Sequence, residues 1–84
     1  MKQFIEVSGE GFESLMGQRV TVFCANYIYT GKLIGINDKF IKFTEGGIVF
    51  ETGGFTDKTW KNLEKLPNDF YVMIQSIESF MLLK

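Results

Sequence analysis

Between Arg19 and Cys24 apolar and polar positions alternate, with Val20, Val22 and Cys24 on one side and Arg19, Thr21 and Phe23 on the other. A period of two predicts a half-buried strand. Ala25-Asn26 makes a tight connection, because Asn tolerates positive φ. The next strand carries Tyr29, Gly31, Leu33 and Gly35 on one side. Glycine inside a strand marks a bend, a bulge or a close backbone approach, so this strand should curve strongly. A turn at Asn37-Asp38-Lys39 leads to a third strand, Phe40-Ile-Lys-Phe43. Glu45-Gly46-Gly47 reads as another turn and Ile48-Val-Phe-Glu51 as a short strand behind it.

Elsewhere the spacing turns helical. Phe12, Leu15 and Met16 stand at i, i+3, i+4 between Ser8 and Gly17. That predicts a short helix capped by Ser8, with Glu10 and Glu13 near its positive end and Gly17 closing it in a left-handed conformation. A second helical insert is expected within residues 53–67, with Thr56 or Asp57 as cap, Trp60, Leu63 and Leu66 as the docking face and Pro67 as the stop. Ahead of Ser8, Phe4, Ile5 and Val7 fit either an arm or a short extra strand. Two last strands, residues 70–75 and 77–83, are separated by a kink at Gln75-Ser76.

Eighty-four residues that are 45% hydrophobic and 15% aromatic, nine of them Phe, predict one folded domain over residues 1–84. A core this small is marginal and calls for disulfides, a metal or oligomerisation. Cys24 is the only cysteine and there is no histidine, which removes an intramolecular disulfide and argues against a zinc site, leaving oligomerisation. No cofactor is expected. A net charge of −1 excludes a generally cationic nucleic-acid binder while allowing a locally basic rim. Glu6 interrupts the run a signal peptide needs, and no apolar stretch is long enough to span a membrane. The expectation is therefore a cytoplasmic protein without a membrane partner.

The tail adds an argument about assembly. Phe70-Tyr-Val-Met-Ile74 contains no charge, Pro or Gly, and Ser79-Phe-Met-Leu-Leu83 is as apolar. As bare edge strands these would template aggregation. Either they are central within a monomer or they pair with other copies, and head-to-tail pairing closes into a ring when the rotation permits.

Gly17, Val20, Val22, Tyr29, Gly31, Leu33, Ile36 and the Asn37-Asp38 corner follow one another as in the first signature of the Sm-like (LSm/Hfq-like) family, which the chain resembles over most of residues 10–44. The second signature, Ile-Arg-Gly before the last strand, has Ile74-Gln75-Ser76 in its place, and the base-holding Asn of the family has Ile41 as its counterpart. The insert at 53–67 is a further departure, so the chain looks like a divergent, phage-type member. The resemblance implies a mainly β fold: a strongly bent five-stranded antiparallel SH3-like barrel with an N-terminal helix. It also implies a homo-oligomeric ring of about five to seven subunits, closed through the strands from Phe70 to Leu83.

In that family the corner and the kink meet at a central pore and bind single-stranded RNA, by stacking unpaired bases and contacting phosphates. Carried over, the RNA-binding candidates are Asn37, Asp38, Lys39, Phe40, Gln75 and Ser76. Asn37 and Gln75 would read base edges, Lys39 would supply charge, and Lys39 or Phe40 falls at the stacking position. The same corner also reads as a turn whose Asn-Asp only shapes the backbone. Trp60, beside Lys58 and Lys61, reads first as the side chain that docks the insert and second as a stacking platform. Tyr27 and Tyr29 are further aromatic candidates. No Ser–His or Cys–His pair is available, and the glycine pairs lack the Lys-Ser/Thr of a phosphate loop, so no enzyme is expected. The leading expectation is a non-catalytic RNA-binding ring with an adaptor or chaperone role. The alternative is a homo-oligomeric assembly or protein-interaction module that has lost the RNA site.

Overall fold

The computed structural model describes residues 9–84. Its elements are six antiparallel strands, β1 (Arg19–Cys24), β2 (Ile28–Ile36), β3 (Phe40–Glu51), β4 (Asn62–Lys65), β5 (Phe70–Met73) and β6 (Ile77–Leu82). Two 3₁₀ turns, Phe12–Leu15 and Ile74–Ser76, complete them. The proposed cap Ser8 and the apolar residues Phe4, Ile5 and Val7 lie outside the described residues.

The strands form one open sheet in the order β4-β3-β2-β1-β6, with β5 on the first half of β3. β3 is long enough to serve two partners: Phe40 to Phe43 pair with β5, and Gly47 to Glu51 pair with β4. It replaces the two strands and intervening turn that the sequence suggests. What reads as a turn at Glu45-Gly46 is a bulge within β3, where register slips between Thr30↔Gly47 and Lys32↔Thr44. Glu45 takes a positive φ of 50° there, and the Arg19 guanidinium donates to its carbonyl at 3.0 Å. The second register shift lies between Leu33 and Gly35, so both strand glycines sit at irregularities, as the bend argument expects.

Alternation is obeyed on the main face. Val20, Val22, Leu33, Ile41 and Phe43 are fully buried and cluster with Val72. Each contributes about 1.5–3 kcal/mol of transfer free energy. Phe12, Leu15, Cys24, Tyr29 and Phe70 pack on this cluster from its margins. The other face is also covered, which plain alternation does not predict. Thr21 and Thr30 are fully buried, and Val49 and Trp60 are buried outside the main cluster.

Two helical expectations are corrected. The N-terminal helix shrinks to the 3₁₀ turn Phe12–Leu15, held by the Ser14 hydroxyl donating to the Gly11 carbonyl at 2.7 Å. Gly9 and Gly11 raise the cost of an already short nucleus. Gly17 does take the left-handed conformation, φ 83°. Phe12 and Leu15 dock, whereas Met16 is exposed. The insert at 53–67 is not helical, and the six strands of the sheet exceed the five expected. Asp57 caps backward, its Oδ2 accepting the Gly54 N–H at 2.9 Å. The following chain then pairs with the open half of β3, Val49↔Leu63 and Glu51↔Asn62 among the partners. An available ladder of backbone bonds outweighs weak helix propensity in so short a segment. Trp60 does dock the insert, as expected.

Candidate functional site

The Asn37–Phe40 corner is a side-chain-built turn. Asn37 Oδ1 accepts the N–H groups of Lys39 at 2.8 Å and Phe40 at 2.9 Å, and the Asn37 N–H donates to the Phe40 carbonyl at 3.0 Å. Asn does this because its short acceptor reaches the backbone two and three residues on. Asn37, Asp38 and Lys39 are exposed; Phe40 is half-buried, with its ring edge-on to Tyr71 at 4.9 Å between centroids.

The corner touches the kink. The Ile74 N–H donates to the Lys39 carbonyl at 2.9 Å, and Phe40 lies opposite Met73 where β5 meets β3. Gln75 and Ser76, both exposed, follow in the 3₁₀ turn. All six candidates thus fall on two adjoining segments. Ile41, which the family resemblance sets at the position of a base-holding Asn, is fully buried and pairs with Val72. It faces the core and offers nothing to a ligand.

Gln75 and Ser76 also line a cleft of about 370 Å³ together with Cys24, Tyr27, Tyr71 and Glu78, whereas none of residues 37–40 lines it. Flat Tyr side chains beside an amide and a hydroxyl suit an unpaired base better than a phosphate. Tyr27 and Tyr29 stand 6.1 Å apart between centroids. Burial, and to a lesser extent the Glu78 carboxylate, pushes the Cys24 thiol up. Burial chiefly, then Cys24 and Tyr27, does the same for the Tyr29 phenol. Both are neutral at physiological pH.

Lys42 is engaged, lying 5.3 Å from the Tyr71 ring centroid and 4.0 Å from Asp69. Lys39 makes no side-chain bond or ion pair among the described residues and is the free cation of the corner. Sequence reasoning missed that Tyr71 and Glu78, which flank the kink in the chain, share a cleft with Cys24 and Tyr27, because only the pairing of β6 on β1, Cys24↔Ile77, sets the kink beside the β1–β2 turn. The described residues contain no cluster of His, Cys, Asp and Glu able to hold a metal ion, and no helix long and apolar enough to cross a membrane. No family model, no curated protein and no solved structure matches this chain.

Proposed function

We propose that this chain is a divergent Sm-like protein that assembles into a ring and binds single-stranded RNA, without catalysis, where the 37–40 corner meets the 74–76 turn. β1, β2, β3, β5 and β6 then stand for the five strands of the bent barrel, and β4 is an addition along β3. The observation that carries the reading is the Ile74-to-Lys39 hydrogen bond, which joins segments more than thirty residues apart into one exposed surface. Around a ring, that surface would repeat one Lys39 per subunit and present Asn37 and Gln75 to base edges. Pairing of the last strand with the first, β6 with β1, is consistent with the same reading.

A second reading has its own support. The Asn37 acceptor is spent on the backbone, and Ile41 is buried where the family's reader would stand. A ring that serves as an assembly or protein-interaction module would leave both unaffected.

Native mass spectrometry of the protein, alone and with a short oligo-uridine at low salt, separates the two. The RNA reading expects a ring mass that gains oligonucleotide, with binding that falls steeply as salt rises. It also expects Lys39→Glu to abolish that gain while leaving the ring mass unchanged. A ring that takes up no RNA would leave the interaction module, and a monomer would sink both.

A further inference from the structure

A second and larger cleft, of about 570 Å³, lies apart from the corner and the kink. Its walls include Arg19 at the start of β1, Glu45 in the β3 bulge, Lys58 and Trp60 of the insert, Lys65 of β4 and Lys84 after β6. These positions are scattered in sequence; the sheet brings Arg19 to Glu45, β4 sets Lys65 beside Gly47, and Lys84 is tied to Thr52 and Gly54.

Four cations face a single carboxylate in a chain whose net charge is −1. None of the four is ion-paired among the described residues, where the salt bridges are Lys42–Asp69 and Lys61–Glu51. Two of them are fixed in place without being neutralised. Arg19 donates to the Glu45 carbonyl at 3.0 Å; Lys84 Nζ donates to the carbonyls of Thr52 at 3.0 Å and Gly54 at 2.7 Å. Carbonyl oxygens orient a cation but carry no net charge, so the positive potential in the cleft stands. Lys58 and Lys65 are exposed and make no side-chain bond among the described residues, which leaves them free to close on a ligand.

Trp60 narrows the choice of ligand. It is only 8% exposed, and its indole N–H is buried with no acceptor among the described residues. That donor has almost no accessible surface, so it lies out of a ligand's reach and offers the cleft nothing. The indole face is not on offer for stacking, since Lys84 Nζ lies 4.4 Å above it. The site is therefore built for anionic oxygens rather than for an aromatic ring. Its size falls within the range of small-molecule sites, about 300–1,000 Å³. Four positive groups exceed what a single phosphate would neutralise.

We propose that this cleft binds a chain of linked phosphates, either free or as the 5′-polyphosphate of a nucleotide. The site shares no residue with the proposed RNA surface and stands or falls independently of it.

Trp60 is the only tryptophan, so its emission reports on the cleft alone. The experiment titrates the full chain with inorganic tripolyphosphate, with ATP and with sulfate at fixed ionic strength, following Trp60 fluorescence and heat in parallel. Saturable binding of both tripolyphosphate and ATP is expected, with affinities within about tenfold of each other and tighter than about 1 mM. The double substitution Lys58→Ala with Lys65→Ala should weaken both by at least about tenfold, because it removes two of the phosphate contacts. Lys61→Ala, a charge loss in the same loop but outside the cleft, should leave them unchanged. Absence of saturable binding, equal response to sulfate, or full affinity in the double variant would each overturn the proposal. ATP binding without tripolyphosphate binding would overturn it too, since a nucleoside would then be what is recognised. An unchanged urea midpoint in the variants rules out misfolding as the cause of any loss.

Discussion

Thr21 and Thr30 face each other across β1 and β2 with their hydroxyl oxygens 2.9 Å apart, both fully buried. Each hydroxyl has one proton, and two outlets exist for the pair: the Leu83 carbonyl, 3.1 Å from Thr21, and the Val20 carbonyl, 3.4 Å from Thr30. The shorter outlet runs through Thr21 and ties the chain after β6 to the sheet. Thr21→Val leaves Thr30 only its longer bond to the Val20 carbonyl and leaves the Leu83 carbonyl without its donor, and should cost about 1–3 kcal/mol. Thr30→Val leaves Thr21 its Leu83 partner and should cost less. The double substitution replaces both partners by groups of the same shape and should cost clearly less than the two single losses added. Urea midpoints of the four proteins check this order.

Gly46 and Gly47 are required by backbone rather than by conformational freedom. A Cβ on Gly46 would strike the Thr30 carbonyl, and one on Gly47 would strike the Glu64 carbonyl of β4. Neither neighbour is a flexible tip that can swing away. Gly46→Ala and Gly47→Ala should each cost about 3 kcal/mol or more, the upper range for overpacking. Gly17, where φ is 83° but nothing stands within 4 Å of an added Cβ, makes the contrast. Gly17→Ala should cost only about 1–2 kcal/mol, and Gly17→Asn less still. Thermal melts rank the four.

These particulars also mark what the sequence could and could not say. Val20, Val22 and Leu33 were legible because a period of two survives wherever one face of a sheet meets a core. The corner and the kink were legible as neighbours only through the family resemblance, since no local pattern predicts contact between Lys39 and Ile74. Trp60 and Leu63, three apart, imitate a helix face, but pairing along β3 decides the conformation of the insert. Thr21 reads as a position on the polar side of its strand, and the chain after β6, through Leu83, reaches it only in the folded protein. The cationic cleft left no trace, because Arg19, Lys58, Lys65 and Lys84 share no spacing.

The Cys24 thiol is half-buried and titrates above its ordinary value, first through burial and then through Glu78. Below about pH 8.5 both folded and unfolded chains hold the proton, and this group gives stability no pH dependence. Above that the unfolded thiol ionises first, so stability falls until the folded thiol ionises as well. Cys24→Ser should flatten the early part of the decline in urea midpoint; what remains at higher pH belongs to Tyr29, which is raised as well. In the native protein the pH midpoint of iodoacetamide alkylation should lie above that of free cysteine. Glu78→Gln should move it only part of the way back, because burial, the larger cause, remains.

Asn37 lets shaping of the turn be separated from binding. Asn37→Ala removes the acceptor for the Lys39 and Phe40 N–H groups and should cost about 1 kcal/mol. Asn37→Asp keeps both bonds and strengthens them with charge, so stability should hold or rise. Under the RNA reading the same change sets a second carboxylate beside Asp38 and should weaken oligo-uridine binding several-fold, most at low salt. Stability and affinity moving in opposite directions would assign the corner a binding role. Affinity that follows stability would leave it a turn.

β5 pairs with β3 and β6 with β1, and each leaves its other edge open among the described residues. Met73 and Met81 are 50% and 49% exposed on these two strands. Neither sits in the core, so a charge at either position should leave the protomer folded. Apolar open edges of this kind need a partner, and lysine is the residue that blunts them. If the two edges join neighbouring copies, Met73→Lys with Met81→Lys should reduce the assembly to a monomer by sedimentation while the far-ultraviolet spectrum stays that of β structure. Loss of assembly should also lower the melting temperature and remove its dependence on protein concentration, since binding between copies stabilises the folded state by mass action. A double variant that still sediments as a ring would place the interface elsewhere, and the uncharged stretches 70–74 and 79–83 would then need another explanation.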